Sequence, residues 1–238
     1  FIKSNFPGVT LIKNNWNLGF AGGVNTGIKH ALINGYGFIA LLNNDAIASN
    51  DWISSLYKRI VANGKIGIVT STILNKGGDK IDSTGEGYSA WGLPFPTNRG
   101  VHQSTVQKVA HEVFGASGGA SLYRSEMLKE IGLFDKDFFA YYEDVDLSFR
   151  AQLAGWKVWY EPEAIVYHDT GRTSRNIKGF TTYQTIKNLP WLMWKNVPTS
   201  LLWKIWPRFF IAHLLFIVSA FQRKQFWHAF KGTVVSFL

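Results

Sequence analysis

Four acids, Asp137, Glu143, Asp144 and Asp146, lie within ten residues among the aromatics of FDKDFFAYYEDVDLSFR, residues 134–150. A carboxylate walled by Tyr141 and Tyr142 suits general-base work, because burial beside aromatic rings raises its pKa toward the working range. Acids also favour a helix N-terminus, where the macrodipole is positive, so the cluster alone leaves both roles open. A second constellation is Asn43-Asn44-Asp45, directly after the apolar run FIALL, together with His168 after the run IVY. One carboxylate and one imidazole, with the other positions left to phosphate and water, make an open site for Mn²⁺ or Mg²⁺. The competing readings are an Asx turn at Asn43–Asp45 and a structural histidine.

Two glycine-rich stretches could bring a ligand close to backbone. In NLGFAGGVNTG (17–27), Gly22 and Gly27 have the spacing of a P-loop, but Ile28 stands where Lys is required, and G-x-G-x-x-G is absent. GASGG (115–119) matches G-x-S-x-G around Ser117, and Asp144 and His168 follow in the order of an α/β-hydrolase triad. A nucleophile elbow should feed straight into a helix, whereas Ala120–Tyr123 reads as a strand and a helix begins only near Ser125. Small residues there would instead admit an acceptor or a neighbouring backbone.

The elements that must position these residues alternate. A helix is expected from about Gly22 to Ile33, and a buried parallel strand at Phe38–Leu42. Asp51–Ala62 reads as a helix with Ile53, Leu56, Tyr57 and Ile60 on one face. Ile66–Thr70 follows as a strand. Val145, Phe149 and Leu153 recur every four residues, so the acids open a helix that Gly155 ends. Shorter strands are expected at Val9–Ile12, Val106–Phe114, Val158–Tyr160 and Ile165–Tyr167. Gly77–Gly100 reads as an irregular, substrate-facing loop. The pattern predicts a mainly parallel α/β sheet, with Asp45 and His168 at the ligand edge of its strands.

Composition narrows the function. Hydrophobic residues are 46% and charged residues 17% of the chain, which excludes a disordered segment. The absence of cysteine excludes thiolate metal sites and a cysteine nucleophile. FIKSNFPGVT has no apolar signal region and no starting Met, so the chain reads as a fragment. Charge is split: residues 1–169 hold 15 bases and all 16 acids, and residues 170–238 hold 10 bases and no acid. That tail also carries five of the ten Trp. A basic, Trp-rich tail points to a polyanion, either a membrane surface or nucleic acid. Phe209–Phe221 is too short to span a bilayer as a helix, which favours a helix lying in the headgroup region; a helix packed on the body is the alternative.

Taken in order, NLGFAGGVNTG, LLNNDA, FGASGGASLYR, GLFDKDFFAYYEDVDLSFRAQLAGWKV and YHDTG resemble family 2 glycosyltransferases, within roughly residues 10–172. The nearest subset is rhamnosyltransferase-like. The resemblance implies a GT-A fold: an open, mainly parallel Rossmann-like sheet with helices on both faces. It also implies a divalent metal (Mn²⁺ or Mg²⁺), a dTDP- or UDP-sugar donor and inversion at the anomeric carbon. Residue by residue it makes Asp144 the base, with Glu143 beside it, and Asp45 and His168 the metal ligands. Asn17, Gly19, Gly22, Gly23, Asn25, Asn43 and Asn44 fall on the donor side, and Gly118, Gly119 and Tyr142 on the acceptor side. The family opens with a strand and an Asp-containing turn for the nucleobase, which this sequence does not display. The expected division is a catalytic domain over 1–180 and a helical, membrane-associating extension over 181–238. The expected setting is the inner face of the cell membrane, with a glycan or polyprenyl-linked acceptor and no nucleic acid. The rival functions are a serine hydrolase using Ser117 and a noncatalytic polyanion-binding fragment.

Overall fold

In the computed structural model, which describes residues 1–169 and 177–237, the run FIALL forms β1 (Phe38–Leu42). β1 pairs antiparallel with β8 (Ala120–Arg124), Phe38 opposite Arg124 and Leu42 opposite Ala120. β8 is antiparallel to β3 (Ile66–Asn75), and β3 runs parallel to β9 (Lys157–His168). β2 (Ala46–Ala48) closes the far edge antiparallel to β9, giving the order β1-β8-β3-β9-β2. The strands expected to be parallel, β1, β3 and β9, do share one direction. β8 enters between them reversed, so the ladder is mixed. The reason is local: Asn43 N–H donates to Gly119 O (2.8 Å), so the loop before β8 sits where β1 ends and β8 must run back.

Helices cover both faces. On one, Ala21 and Ile28 of α2 (Gly19–Ile33), Met127 of α4 (Ser125–Ile131) and Leu147 and Ala151 of α5 (Glu143–Leu153) meet Ile68, Tyr123 and Val158. On the other, Trp52, Leu56 and Ile60 of α3 (Trp52–Val61) meet Val69, Leu122 and Val166. The switch of face between Ile68 and Val69, and between Leu122 and Tyr123, is the period of two of a strand buried on both sides. Each fully buried Leu or Ile contributes roughly 1.5–3 kcal/mol.

Several expectations need correction. Val9–Ile12 forms no strand; only a short helix, α1 (Ile2–Asn5), precedes α2, and Val9, Leu11 and Ile12 are exposed. Gly77–Gly100 is not irregular. It holds β4 (Ile81–Ser83), paired with β3, and the hairpin of β5 (Glu86–Tyr88) and β6 (Pro94–Pro96). Strands of three residues are too short to show a period. Within Val106–Phe114 only β7 (His111–Glu112) is a strand, at the side of β9. The two strands expected after α5 are one, β9, whose register slips as Glu161 and Ile165 face neighbouring residues of β3. Pro162 falls within that slip, where a missing N–H is tolerated.

The tail folds as α6 (Phe180–Asn196), α7 (Thr199–Gln222) and α8 (Phe226–Ser236). α6 is embedded: its Leu189, Leu192 and Met193 share a core with Phe138, Val145 and Phe149. Phe209 of α7 joins the same core, and Ile186, Ala220 and Ala229 hold the three helices together. Helix α7 begins at Thr199, well before the apolar run read from sequence. By length and composition it is long enough to cross a membrane, and its apolar window is only 11% buried. The length argument against spanning therefore fails.

Candidate active site

Strand register builds the first wall of the site. β1 ends at Leu42, and the chain turns through Asn43-Asn44-Asp45 into β2. β2 pairs with β9 so that Ala46 stands opposite His168, which sets Asp45 beside that imidazole. His168 Nε2 lies 3.2 Å from Asp45 Oδ1, and its Nδ1 lies 3.2 Å from Asp82 Oδ2. Asp82, on β4, also pairs with Arg99 at 3.1 Å. The hydrogen bond to Asp82, and then the charge of Asp45, raise the His168 pKa against the opposing effect of burial.

This donor set can be tested against the divalent cation that the fold implies. Neighbouring ligand atoms of an octahedral cation with bonds of ~2.1 Å are ~3 Å apart, close to the Asp45–His168 spacing. Asp82 on the far ring nitrogen is the partner that orients a ligating histidine. Among the described residues no group of three or more His, Asp or Glu side chains is disposed to hold a cation. Asp45 and His168 would therefore fill two positions of an open site, the others being left to non-protein oxygens.

A strained turn builds the second wall. Phe139, Tyr141 and Tyr142 have φ of 64°, 70° and 71°, in the left-handed region that bulky residues avoid. Tyr142 precedes α5, and its carbonyl accepts from Asp146 N–H at 2.9 Å. Glu143 and Asp144 follow in the first turn. Asp144 is half-buried, and both its oxygens are held: Gly118 N–H donates to Oδ2 and Val145 N–H to Oδ1, each at 2.9 Å. Gly119 O and Gly118 N–H thus join the Asn43 turn to Asp144 through one loop. A Cβ on Gly118 would stand 3.0 Å from the Phe20 ring, so that loop has little room for a larger residue.

The two neighbouring carboxyls differ. Glu143 is 5% exposed, its Oε2 is buried without a hydrogen-bond partner among the described residues, and burial followed by repulsion from Asp144 raises its pKa well above the usual range. Burial also raises Asp144, but the Gly118 and Val145 amides oppose it. Burial and the neighbouring charge thus favour the neutral form of Glu143, whereas the two amides favour the carboxylate of Asp144. Sequence reasoning missed Glu86 on β5. It lines the cleft with its pKa pushed up to about 8, first by burial and then by Asp144, against Arg99 and Ser83.

The walls enclose one open cleft of about 680 Å³. Asn17, Gly19, Asn43, Asn44, Asp45 and His168 line it, and so do Gly118, Gly119, Tyr142, Glu143 and Asp144. Gly22, Gly23 and Asn25 do not. They lie inside α2, and the Asn25 side chain is spent on the backbone of Phe134, donating to its O at 2.7 Å and accepting from its N–H at 3.1 Å. Gly19 also serves the backbone: it has φ 69°, and a Cβ there would lie 2.3 Å from Phe139 O. Thr170 and Gly171 of YHDTG, and Arg172, lie outside the described residues.

The hydrolase triad does not form. The ring nitrogens of His168 face Asp45 and Asp82, Asp144 is bonded to backbone amides, and β8 rather than a helix follows GASGG.

The model of "Glycosyl transferase family 2" matches residues 1–132 of the chain. An N-acetylglucosaminyl-diphospho-decaprenol L-rhamnosyltransferase of Mycobacterium tuberculosis is 36% identical over 81 residues, covering 32% of this chain and 26% of the relative. A poly-beta-1,6-N-acetyl-D-glucosamine synthase of Staphylococcus epidermidis is 26% identical over 155 residues, 63% of this chain and 34% of the relative. The chain thus spans a quarter to a third of the curated relatives it matches. A mannosyltransferase of Pyrobaculum calidifontis, solved with GDP-Man and Mn²⁺, superposes with TM-score 0.54 at 14% identity over 91% of this chain and 59% of its own. GalNAc-T7, solved with UDP, GalNAc and Mn²⁺, gives TM-score 0.51 at 15% identity over 66% of this chain and 31% of its own.

Proposed function

The chain belongs to glycosyl transferase family 2, with a GT-A-type fold, and from that membership we propose that it is an inverting sugar transferase. One observation carries the reading. Asp45 with His168, and Asp144, face a single cleft, and the hydrogen bonds of the 115–119 loop tie the two walls together. In this reading Asp45 and His168 hold Mn²⁺ or Mg²⁺, and Asp82 orients His168. A cation held there would supply positive charge to the diphosphate leaving group. Asn17, Gly19, Asn43 and Asn44 face the donor. Asp144 accepts the proton of the acceptor hydroxyl as its oxygen attacks the anomeric carbon from the face opposite the departing diphosphate. Gly118, Gly119 and Tyr142 shape the acceptor side. The bond between sugar and diphosphate breaks as the glycosidic bond forms, so no covalent intermediate is required.

The donor class is a dTDP- or UDP-sugar, with rhamnose as one candidate sugar, and the acceptor is a glycan or polyprenyl-linked hydroxyl in cell-surface polysaccharide synthesis. Support comes from the relatives' names, one carrying a decaprenol-linked substrate and the other a polysaccharide product. Residues 1–180 act as the catalytic domain. Within residues 181–238, α6 is packed into that domain, and α7 and α8 act as an extension that seats the body on an anionic membrane surface at its inner face, without spanning it. The exposed stripe Phe210, Ile211, Leu214, Leu215, Val218 and Phe221 of α7 supports this, with Trp227, Phe230 and Phe237 of the last helix and its end, and flanking bases. Lys204 and Arg208, inside α7, argue against spanning.

The test is release of nucleoside diphosphate from a panel of nucleotide sugars with Mn²⁺ and a polyprenyl-diphospho-sugar acceptor. Acceptor-dependent release is expected. No release from any donor, with or without acceptor, would contradict the reading.

A further inference from the structure

The carbonyls of the strained turn are satisfied by a distant element. Asn188 of α6 is fully buried, and its Nδ2 points at three of them: Phe138 O at 2.9 Å, Ala140 O at 2.9 Å and Tyr141 O at 2.8 Å. The preceding residue, Lys187, donates from Nζ to Asp137 O at 2.7 Å and reaches Phe138 O at 3.5 Å. Thr181, nearer the start of α6, lies 3.1 Å from the Tyr141 hydroxyl. From the other side, Ala21 N–H donates to Phe139 O at 3.2 Å. Residues 138–141 belong to no strand or α-helix that could use these acceptors, and three residues of the 139–142 segment hold positive φ. Such a conformation persists only where its surroundings over-determine it.

We propose that Asn188, assisted by Lys187, is a positioning residue for the Asp144 carboxylate. This rests on the transferase reading above. Asn188 clamps the inward carbonyls and so holds Tyr141 and Tyr142 in the left-handed region. That conformation sets where α5 begins, and Asp144 stands in its first turn. Without the Asn188 donors, Phe138 O would keep the Ala140 N–H at 2.7 Å, but Ala140 O and Tyr141 O would lose their amide donor in a desolvated core. The turn would then relax to negative φ, swinging the tyrosines and shifting the start of α5 relative to the Gly118 amide. The first wall would not follow, because Asp45 and His168 are placed by the β2–β9 register. The side chains of α6 thus serve the chemical step rather than donor binding.

The experiment compares wild type with Asn188→Asp, which keeps the shape but removes the N–H donors, and with Lys187→Met, which keeps the stem but removes the ammonium. Three readouts are taken on the full chain: hydrogen exchange of peptides spanning 138–146 and 66–75, binding of UDP or dTDP with Mn²⁺, and kcat for transfer. A misplacement of about 1 Å costs on the order of 10²-fold in rate. For Asn188→Asp the expected result is faster exchange confined to 138–146, kcat lower by ~10²-fold and nucleoside diphosphate affinity within about threefold of wild type. Lys187→Met should give the same pattern more weakly, and it carries the test if Asn188→Asp does not fold. Unchanged exchange in 138–146, or kcat within threefold of wild type, overturns the proposal. If wild type transfers no sugar, the transferase reading falls, while the exchange measurement still decides whether Asn188 holds the turn.

Discussion

The two walls of the cleft are built by different physics. The Asp45–His168 wall is a product of regular structure: strand ends and one β pairing bring the side chains to 3.2 Å. The Asp144 wall depends on three residues in an unfavourable backbone region and on polar side chains from a helix more than forty residues away in sequence. A site assembled from register depends on backbone pairing rather than on strained residues, here the three residue pairs between β2 and β9. A site assembled from strain fails when any of its supports is lost. The chemical step should therefore be more fragile than donor binding.

The largest effect expected from this contrast is on Asp144. Asp144→Asn keeps the shape and can still accept from one of the Gly118 and Val145 amides but removes the base, so kcat should fall by ~10²–10⁴. Glu143→Gln should be milder, since burial and the charge of Asp144 both favour the neutral form of Glu143. Rate measurements under single turnover check both. Activity of Asp144→Asn within threefold of wild type would remove Asp144 from the mechanism.

On the other wall, Asp82→Asn isolates the orienting partner from the proposed ligands. Loss of such a partner typically weakens metal affinity by ~10–100-fold. Titration with Mn²⁺ at fixed nucleoside diphosphate should show that shift with kcat at saturating metal largely retained. An unchanged Mn²⁺ dependence would return Asp82 to a structural ion pair with Arg99.

Much of the first wall is legible in the sequence, and little of what supports the second. FIALL followed by Asn-Asn-Asp announces a strand and its ligand edge, although β1 lies at the edge of the sheet with only Ile39 buried rather than being buried throughout, and the four-residue recurrence of Val145, Phe149 and Leu153 announces α5. Asp82 and Glu86 escape notice because the short strands carrying them look like loop. Asn25 has glycine neighbours that suggest a ligand, although its amide pairs with Phe134 instead. Lys187 and Lys195 read as surface charge of a basic tail. Yet Lys187 is spent on the strained turn, and Lys195 pairs with Asp135 and with buried Asp146. Composition reports how many charges a segment carries; only packing shows which face outward.

Smaller effects sharpen the picture. Glu86 has a folded pKa raised to about 8, above its unfolded value, because burial favours the neutral form. Its protonated state thus favours the fold at low pH, and that advantage is lost as pH rises from the unfolded pKa toward 8. Glu86→Gln should therefore gain in unfolding midpoint relative to wild type at pH 8, and not at pH 4. Equal shifts at both pH values would mean that Glu86 ionises normally.

The tail offers the weakest effect. Vesicle binding by the full chain should fall, but not vanish, as salt rises, because charge attraction is screened while burial of Trp and Phe is not. Each exposed base contributes roughly 1 kcal/mol on an anionic surface, and the internally paired lysines should contribute less. Removal by alkaline carbonate is expected of a helix lying flat. Resistance to it would make α7 a spanning segment.

Donor binding and proton removal, in this picture, belong to separate walls. Calorimetric titration of UDP or dTDP with Mn²⁺ into Asp45→Ala and Asp144→Asn, on folded samples of both, tests that separation most directly. Asp45→Ala should lose metal-dependent binding, while Asp144→Asn should bind within about threefold of wild type, as expected for a residue whose contribution is to the chemical step. Equal loss in both variants, or full binding by Asp45→Ala, would contradict it.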